Sequence, residues 1–275
     1  VVRDVQKVAN YIVHAGHLEG SIKSGEEVSL EVDGTRRLDI ARNHTATHLL
    51  HQALRQTLGE HAQQKGSLVE PERLRFDFTH LVSMSEEELQ QVENIVNNAI
   101  WSLYPVDTTV TSLARAREMG ATALFGEKYG EEVRMVAVAD FSRELCGGTH
   151  VKNSGQIGIF KLLAESSIGS GLRRIEALTG THALAYLNKA ESDLKAAANV
   201  LKTTPAELGH RIEGLSRTLK DREKEIEGLK GKLSSASSVD LISQARDYQG
   251  AKVLIAAVSG QDANSLRSQA EMLRD

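Results

Sequence analysis

A chain of 275 residues with a formal net charge of −4, 40% hydrophobic and 25% charged residues is ordinary globular material, long enough for two domains or for one domain and an appendage. No apolar run approaches the ~20 residues that span a bilayer, nothing reads as a signal peptide, and the sole cysteine, Cys146, excludes an internal disulfide and points to a reducing, cytoplasmic setting. The acidic balance means that a polyanionic partner has to be met by a local basic patch rather than by the field of the whole protein.

Residues 1–40 hold short alternating segments such as Val28-Ser29-Leu30-Glu31-Val32, divided by turn signals at Gly16, Gly20, Gly25 and Asp33-Gly34, and predict a small antiparallel β unit. From Asn43 the period changes. Leu49, Leu50, Ala53, Leu54 and Leu58 mark one side of a helix that Asn43 can cap and Gly59 can end. Strand-like alternation returns at Leu74, Phe76 and Phe78. A second helix opens near Ser85, where Glu88 completes a capping box, and runs through Leu89, Val92, Ile95, Val96 and Ile100. A strand at Val106–Val110, a helix around Ala114–Met119 and a buried strand at Val133–Val138 follow. The fold class is α+β: residues 41–180 read as a mixed-sheet domain, since strands and helices alternate without a regular βαβ period.

Beyond Gly180 the chain turns to long helices. One covers His182–Leu201, and Thr204-Pro205-Ala206-Glu207 places an N-cap, a first-turn proline and a capping glutamate for the next. Its apolar residues Leu208, Ile212, Leu215, Leu219, Ile226, Leu229 and Leu233 step by four and three, a heptad seam interrupted by Arg222. Residues 181–236 are therefore predicted to form an antiparallel helical hairpin. Ser234–Ser238 reads as a linker to a truncated α/β piece, 239–275, with a strand at Val253–Val258 and a last helix. The start at Val1 and the stop at Asp275 within a helical pattern read as the ends of a fragment of a longer protein.

His44 and His48 lie four apart on one helix, so both imidazoles leave the same face about one turn apart. In Cys146-Gly147-Gly148-Thr149-His150, the two glycines allow positive φ and let the loop fold until thiolate and imidazole converge. Together these supply three nitrogens and one sulfur, a set that favours zinc over magnesium or calcium. The competing reading of Cys146 as a small buried hydrophobe sits badly in a glycine-rich loop. His51 shares the helix face and is an alternative ligand. Thr45 stands where a metalloprotease HExxH motif needs its glutamate, which argues against that chemistry. Arg173-Arg174, after Gly169 and Gly171, predicts a flexible basic loop suited to phosphate or ribose, which Arg36-Arg37, Lys65, Arg73 and Arg75 could extend.

Taken together, His44-Thr-Ala-Thr-His48-Leu-Leu, Gln64-Lys-Gly-Ser, Leu74-Arg-Phe-Asp-Phe-Thr-His80, Ala123-Leu-Phe-Gly-Glu-Lys128, Glu144-Leu-Cys-Gly-Gly-Thr-His150 and Gly171-Leu-Arg-Arg-Ile-Glu-Ala177 closely resemble the editing region of bacterial alanyl-tRNA synthetases. The editing domain of threonyl-tRNA synthetase has a similar pair of zinc motifs, but the flanking segments match the alanyl family better. The resemblance implies a zinc-containing editing domain that removes serine or glycine from tRNA(Ala), with Thr47 and Gln64 in its pocket. It also implies a hairpin that begins the C-terminal oligomerisation and tRNA-binding region, through which a homodimer could form. The ATP-dependent aminoacylation domain of that family precedes this region, so the chain is not expected to charge tRNA itself. Other readings are a non-catalytic tRNA-binding or oligomerisation fragment with structural zinc, and a free-standing aminoacyl-tRNA editing protein.

Overall fold

The computed structural model describes residues 1–9, 11–122, 129–257 and 263–274. They fall into two compact units, Val1–Tyr186 and Leu187–Asp275. The segment Ala123–Lys128 and the end of the expected Val253–Val258 strand lie outside the described residues.

The first unit opens with an antiparallel hairpin, β1 (Val2–Val8) and β2 (Tyr11–Gly16). The alternating stretch Val28–Val32 forms no strand and is exposed throughout. Alternation makes a strand only where a neighbour accepts its backbone hydrogen bonds and covers one face. The next element, α1, is Gly34–Leu58. It starts well before Asn43, because Asp33 is the N-cap: its carboxylate accepts from the Arg36 N–H at 2.9 Å. The Asp33-Gly34 pair, expected to be a turn, is therefore the helix start. Gly59 ends the helix as expected, at φ 107° with its N–H on the Arg55 carbonyl.

Strands β3 (Gln64–Val69) and β4 (Leu74–Thr79) form a hairpin, and α2 (Glu86–Trp101) follows with the predicted Ser85–Glu88 capping box in place. Then come β5 (Val106–Ser112), a short α3 (Leu113–Glu118), β6 (Glu132–Val138) and β7 (Ser142–Leu145). The unit closes with β8 (Phe160–Gly169), β9 (Leu172–Thr179) and the start of α4 (Gly180–Val200). Among the described residues the strands of this unit pair antiparallel, in a four-stranded sheet of order β3-β4-β9-β8 and a three-stranded sheet β5-β6-β7.

Helix α1 is the centre of this unit, packed on α2 and touching β3, β4, β7 and β9. Leu49, Leu50, Ala53 and Leu54 of α1 are fully buried with Phe76 and Phe78 of β4, Val92 and Val96 of α2, and Ile175 of β9. Polar residues lock the layers. Asn97 of α2 exchanges two 2.9 Å hydrogen bonds with the backbone of Phe160, fixing α2 against β8. Asn43 is fully buried and donates to the carbonyls of Glu70 and Pro71, while its own oxygen accepts from Thr179. It ties the helix to the turn between β3 and β4 and to the end of β9 instead of capping it.

In the second unit, the rest of α4 leads through a 3-10 turn at Pro205–Glu207 into α5 (Leu208–Ile242). Thr204 precedes the proline as expected but makes no side-chain cap bond. Helix α5 continues through Ser234–Ser238, so the expected linker is helical; Ala236 is a strong helix former and serine is tolerated there. A small hairpin of β10 (Arg246–Tyr248) and β11 (Ala251–Val253) precedes α6 (Ala263–Arg274), which packs on α5. Among the described residues no helix is long and apolar enough to cross a membrane.

Candidate metal centre and cleft

The four-residue spacing on α1 stacks the rings of His44 and His48 with centroids 5.5 Å apart. The loop after β7 brings Cys146 and His150 against them: the Cys146 Sγ lies 3.3 Å from His44 Nε2 and 3.4 Å from His150 Nε2. One donor atom from each of His44, His48, Cys146 and His150 falls within 4.8 Å of the others.

Neither loop glycine adopts positive φ, so the conformational reason expected for the pair does not hold. Gly148 is needed for a different reason. A Cβ there would stand 1.9 Å from His44 Cε1, so the loop approaches the ring only because it carries no side chain. Arg134 of β6 holds the loop backbone, donating through Nη1 to the carbonyls of Cys146 (2.8 Å) and Gly148 (2.7 Å).

Neighbouring groups set the tautomers that a metal requires. Glu144 accepts from His48 Nδ1 at 2.5 Å, which leaves Nε2 facing the other donors, buried and without a hydrogen-bond partner. The hydroxyl of Thr45 gives its hydrogen to the Ala41 carbonyl, so its lone pairs are open to the Val151 N–H and to His150 Nδ1, at 3.2 Å each. That frees His150 Nε2. Burial pushes the Cys146 thiol up, but the hydrogen bonds to His150 and His44 and the charge of the neighbouring His48 outweigh it and bring it to about 3, a thiolate at neutral pH. Burial also pushes Glu144 up, and the charge and hydrogen bonds of His48 and His51 hold it down at about 2. His150 is lowered by burial to about 4 and is neutral. Three imidazoles, one thiolate and an orphaned buried nitrogen fit a zinc ion.

Beside this cluster opens a cleft of about 740 Å³. His44, His48 and Cys146 line it together with Thr47, Gln64 and Lys65, so three residues expected in a binding site meet three of the four donors. Thr47 is buried and donates its hydroxyl to the Asn43 carbonyl at 2.9 Å. Gln64 opens β3, its amide 3.2 Å from Ser67 Oγ.

Arg173 and Arg174 are elsewhere. The turn at Gly171, φ 69°, is real, but both arginines belong to β9, paired in register with Phe78 and Asp77. They are not on a flexible loop: Glu165 holds Arg173, which is buried, and Asp77 grips Arg174 through two bonds of 2.7 and 2.8 Å. Among the basic residues expected to extend the patch, Arg73 pairs with Glu70 and Glu176. The sequence reading misses Glu144, Arg134 and the part played by His51, which bonds Glu144 through Nδ1 at 2.9 Å and is not among the converging donors. The available signal was the three-residue step from His48 to His51, which puts both rings within reach of one carboxylate.

Comparison with known proteins agrees with this geometry. A family model for the threonyl and alanyl tRNA synthetase second additional domain matches residues 133–176, the stretch that carries Arg134, Glu144, Cys146 and His150. Over 276 residues the chain is 50% identical to an alanine–tRNA ligase of Pelotomaculum thermopropionicum, an alignment covering 100% of this chain and 32% of that protein. The corresponding enzyme of Carboxydothermus hydrogenoformans is 50% identical over 99% of the chain and 32% of its own length. That of Geobacillus kaustophilus is 49% identical over 100% of the chain and 31% of its own length. The chain thus spans about a third of the length of the curated relatives it matches.

Proposed function

We propose, because this chain belongs to the bacterial alanyl-tRNA synthetase family, that its cleft hydrolyses the ester joining a wrong amino acid, serine or glycine, to tRNA(Ala). The observation that carries the reading is the cleft itself, which zinc-type donors line together with the hydrogen-bonding side chains of Thr47 and Gln64. A synthetic site sized for alanine admits glycine, and rejects a side chain with one added hydroxyl by only about two orders of magnitude, so a second, hydrolytic site is required.

The Thr47 hydroxyl has committed its hydrogen to Asn43 and offers lone pairs, so it accepts from a serine hydroxyl or from the attacking water. The Gln64 amide can both donate and accept, and orients the aminoacyl group or that water. Lys65 lines the cleft and suits a phosphate of the tRNA end. Arg173 and Arg174, bound to carboxylates, serve that end through the sheet they brace more than by direct contact. Zinc, when held by His44, His48, Cys146 and His150, supplies positive charge beside the pocket and cross-links α1 to the Cys146 loop. The setting is the cytoplasm, where translation supplies the substrate.

Convergence of four protein donors also favours a second reading, a closed structural zinc in a tRNA-binding module. Deacylation of seryl-tRNA(Ala) by the purified chain, with and without zinc chelation and with alanyl-tRNA(Ala) as control, separates the two. Loss of serine with alanine spared is the expected result, slowed on the order of 100-fold in Gln64→Ala, within the range for a lost positioning or proton-transfer group. Tight tRNA binding with no hydrolysis would favour the binding module.

The second unit supports a further role. Along α5, Ile212, Leu215, Leu219, Ile226, Leu229 and Leu233 are each between 41% and 71% exposed, an apolar seam at heptad spacing. Pairing of two copies along it would bury the seam. Sedimentation at increasing concentration is expected to show a dimer that Leu219→Glu abolishes; a monomeric mass at the highest concentration would rule it out.

A further inference from the structure

We infer that Glu144 is a positioning residue of the metal centre, and that His51 is the strut that holds it, so that the centre is built as two nested clamps between α1 and β7. The inference rests on the zinc reading above and goes beyond its four ligands.

Glu144, His48 and His51 are all buried, at 3%, 4% and 2% exposure. Each carboxylate oxygen has its own histidine: Oε2 meets His48 Nδ1 at 2.5 Å and Oε1 meets His51 Nδ1 at 2.9 Å. A carboxylate only accepts, so both Nδ1 atoms carry hydrogen and Nε2 is the nitrogen each ring has left to offer. The two Nε2 atoms have different surroundings. That of His48 faces the other three donors, whereas the ring of His51 lies 5.5 Å from that of Phe76, and its Nε2 is buried without a hydrogen-bond partner. His51 is therefore not a ligand. Its position one turn along the helix lets it hold the second oxygen, so the carboxylate cannot rotate away from His48.

Chain topology reinforces the arrangement. Glu144 is two residues before Cys146 at the end of β7, so the strand that delivers the thiolate also delivers the carboxylate. Helix α1 answers with His44 and His48 for the first and His48 and His51 for the second. A lone carboxylate at this depth would be costly; with two imidazole N–H groups it is fully engaged.

The test is zinc affinity, measured by competition with a chromophoric chelator, in the parent chain and in Glu144→Gln. Glutamine offers one acceptor and one donor, so it cannot receive both Nδ1 hydrogens, and one histidine must change tautomer. The expected result is a folded variant that binds zinc about 10- to 100-fold more weakly, with a cobalt(II) d–d spectrum altered from that of the parent. A merely structural role would lower thermal stability in chelator and leave the affinity of the folded variant unchanged, and that outcome overturns the inference. If Glu144→Gln does not fold, long-range ¹⁵N–¹H spectra of the zinc-loaded parent decide. Hydrogen on Nδ1 of both His48 and His51 is expected; a bare Nδ1 on either overturns it. A parent chain that takes up no zinc would sink the zinc reading and this inference together, whereas equal affinity in parent and variant sinks the inference alone.

Discussion

Gly148→Ala should weaken zinc binding at the proposed centre, with affinity falling on the order of 100-fold or more, while Gly147→Ala leaves it within a few-fold of the parent. The new methyl at position 148 would lie 1.9 Å from His44 Cε1 and 2.3 Å from Nδ1, whereas nothing stands within 4 Å of one at position 147. Only two relaxations are open. His44 can turn away, which carries its Nε2 off from the Cys146 sulfur, or the loop can retreat, which breaks the bonds from Arg134 to the Cys146 and Gly148 carbonyls. Each removes a donor from the set. Chelator competition on the two variants checks the contrast, and equal affinities would show that the loop is more compliant than its close packing implies.

Asn43→Ala should destabilise the first unit by roughly 3–5 kcal/mol, since each buried hydrogen bond contributes about 1 kcal/mol and each group left unpaired costs about 1–3 more. Its amide donates to Glu70 at 2.7 Å and Pro71 at 3.1 Å, and its oxygen takes the Thr179 hydroxyl at 2.7 Å. Asn43→Asp should be worse, because a buried carboxylate would face two carbonyl oxygens. Urea unfolding in the presence of chelator, so that metal does not mask the change, gives the measure. A loss below about 1 kcal/mol would mean that water replaces the lost amide.

Asn43 also marks where sequence reasoning stopped short. Asparagine before an apolar helical run is a good cap by propensity, but Asp33 lies further upstream with a free backbone N–H to accept from, and the intervening Arg36-Arg37-Leu38 suits a helix equally well. Nothing local separates the two. The converging donors were legible because both pairs carry their geometry in short-range spacing: a helical step for His44 and His48, a tight loop for Cys146 and His150. Glu144 was not legible, since it meets α1 across 96 residues of chain and its strand looks amphipathic in isolation. Arg173-Arg174 misled for a related reason. Adjacent charges beside glycines suggest a loop, yet on a strand they point to opposite faces, and each found a carboxylate on a neighbouring strand that composition could not reveal.

From His44 to His51, α1 covers about two turns, roughly 10 Å of axis, and on that stretch one flank carries polar chemistry while the other carries Leu49, Leu50 and, just beyond, Ala53 and Leu54 into the core. The azimuth of His44, Thr47, His48 and His51 is thus a single mechanical variable, set by how the greasy flank seats on the sheet. Such a rod cannot misplace one group alone: a small roll would carry His44, Thr47, His48 and His51 off target in concert. The fidelity of the pocket is in that sense borrowed from the interior, and a methyl group misfitted beneath the helix would be felt at its far side as blurred chemistry.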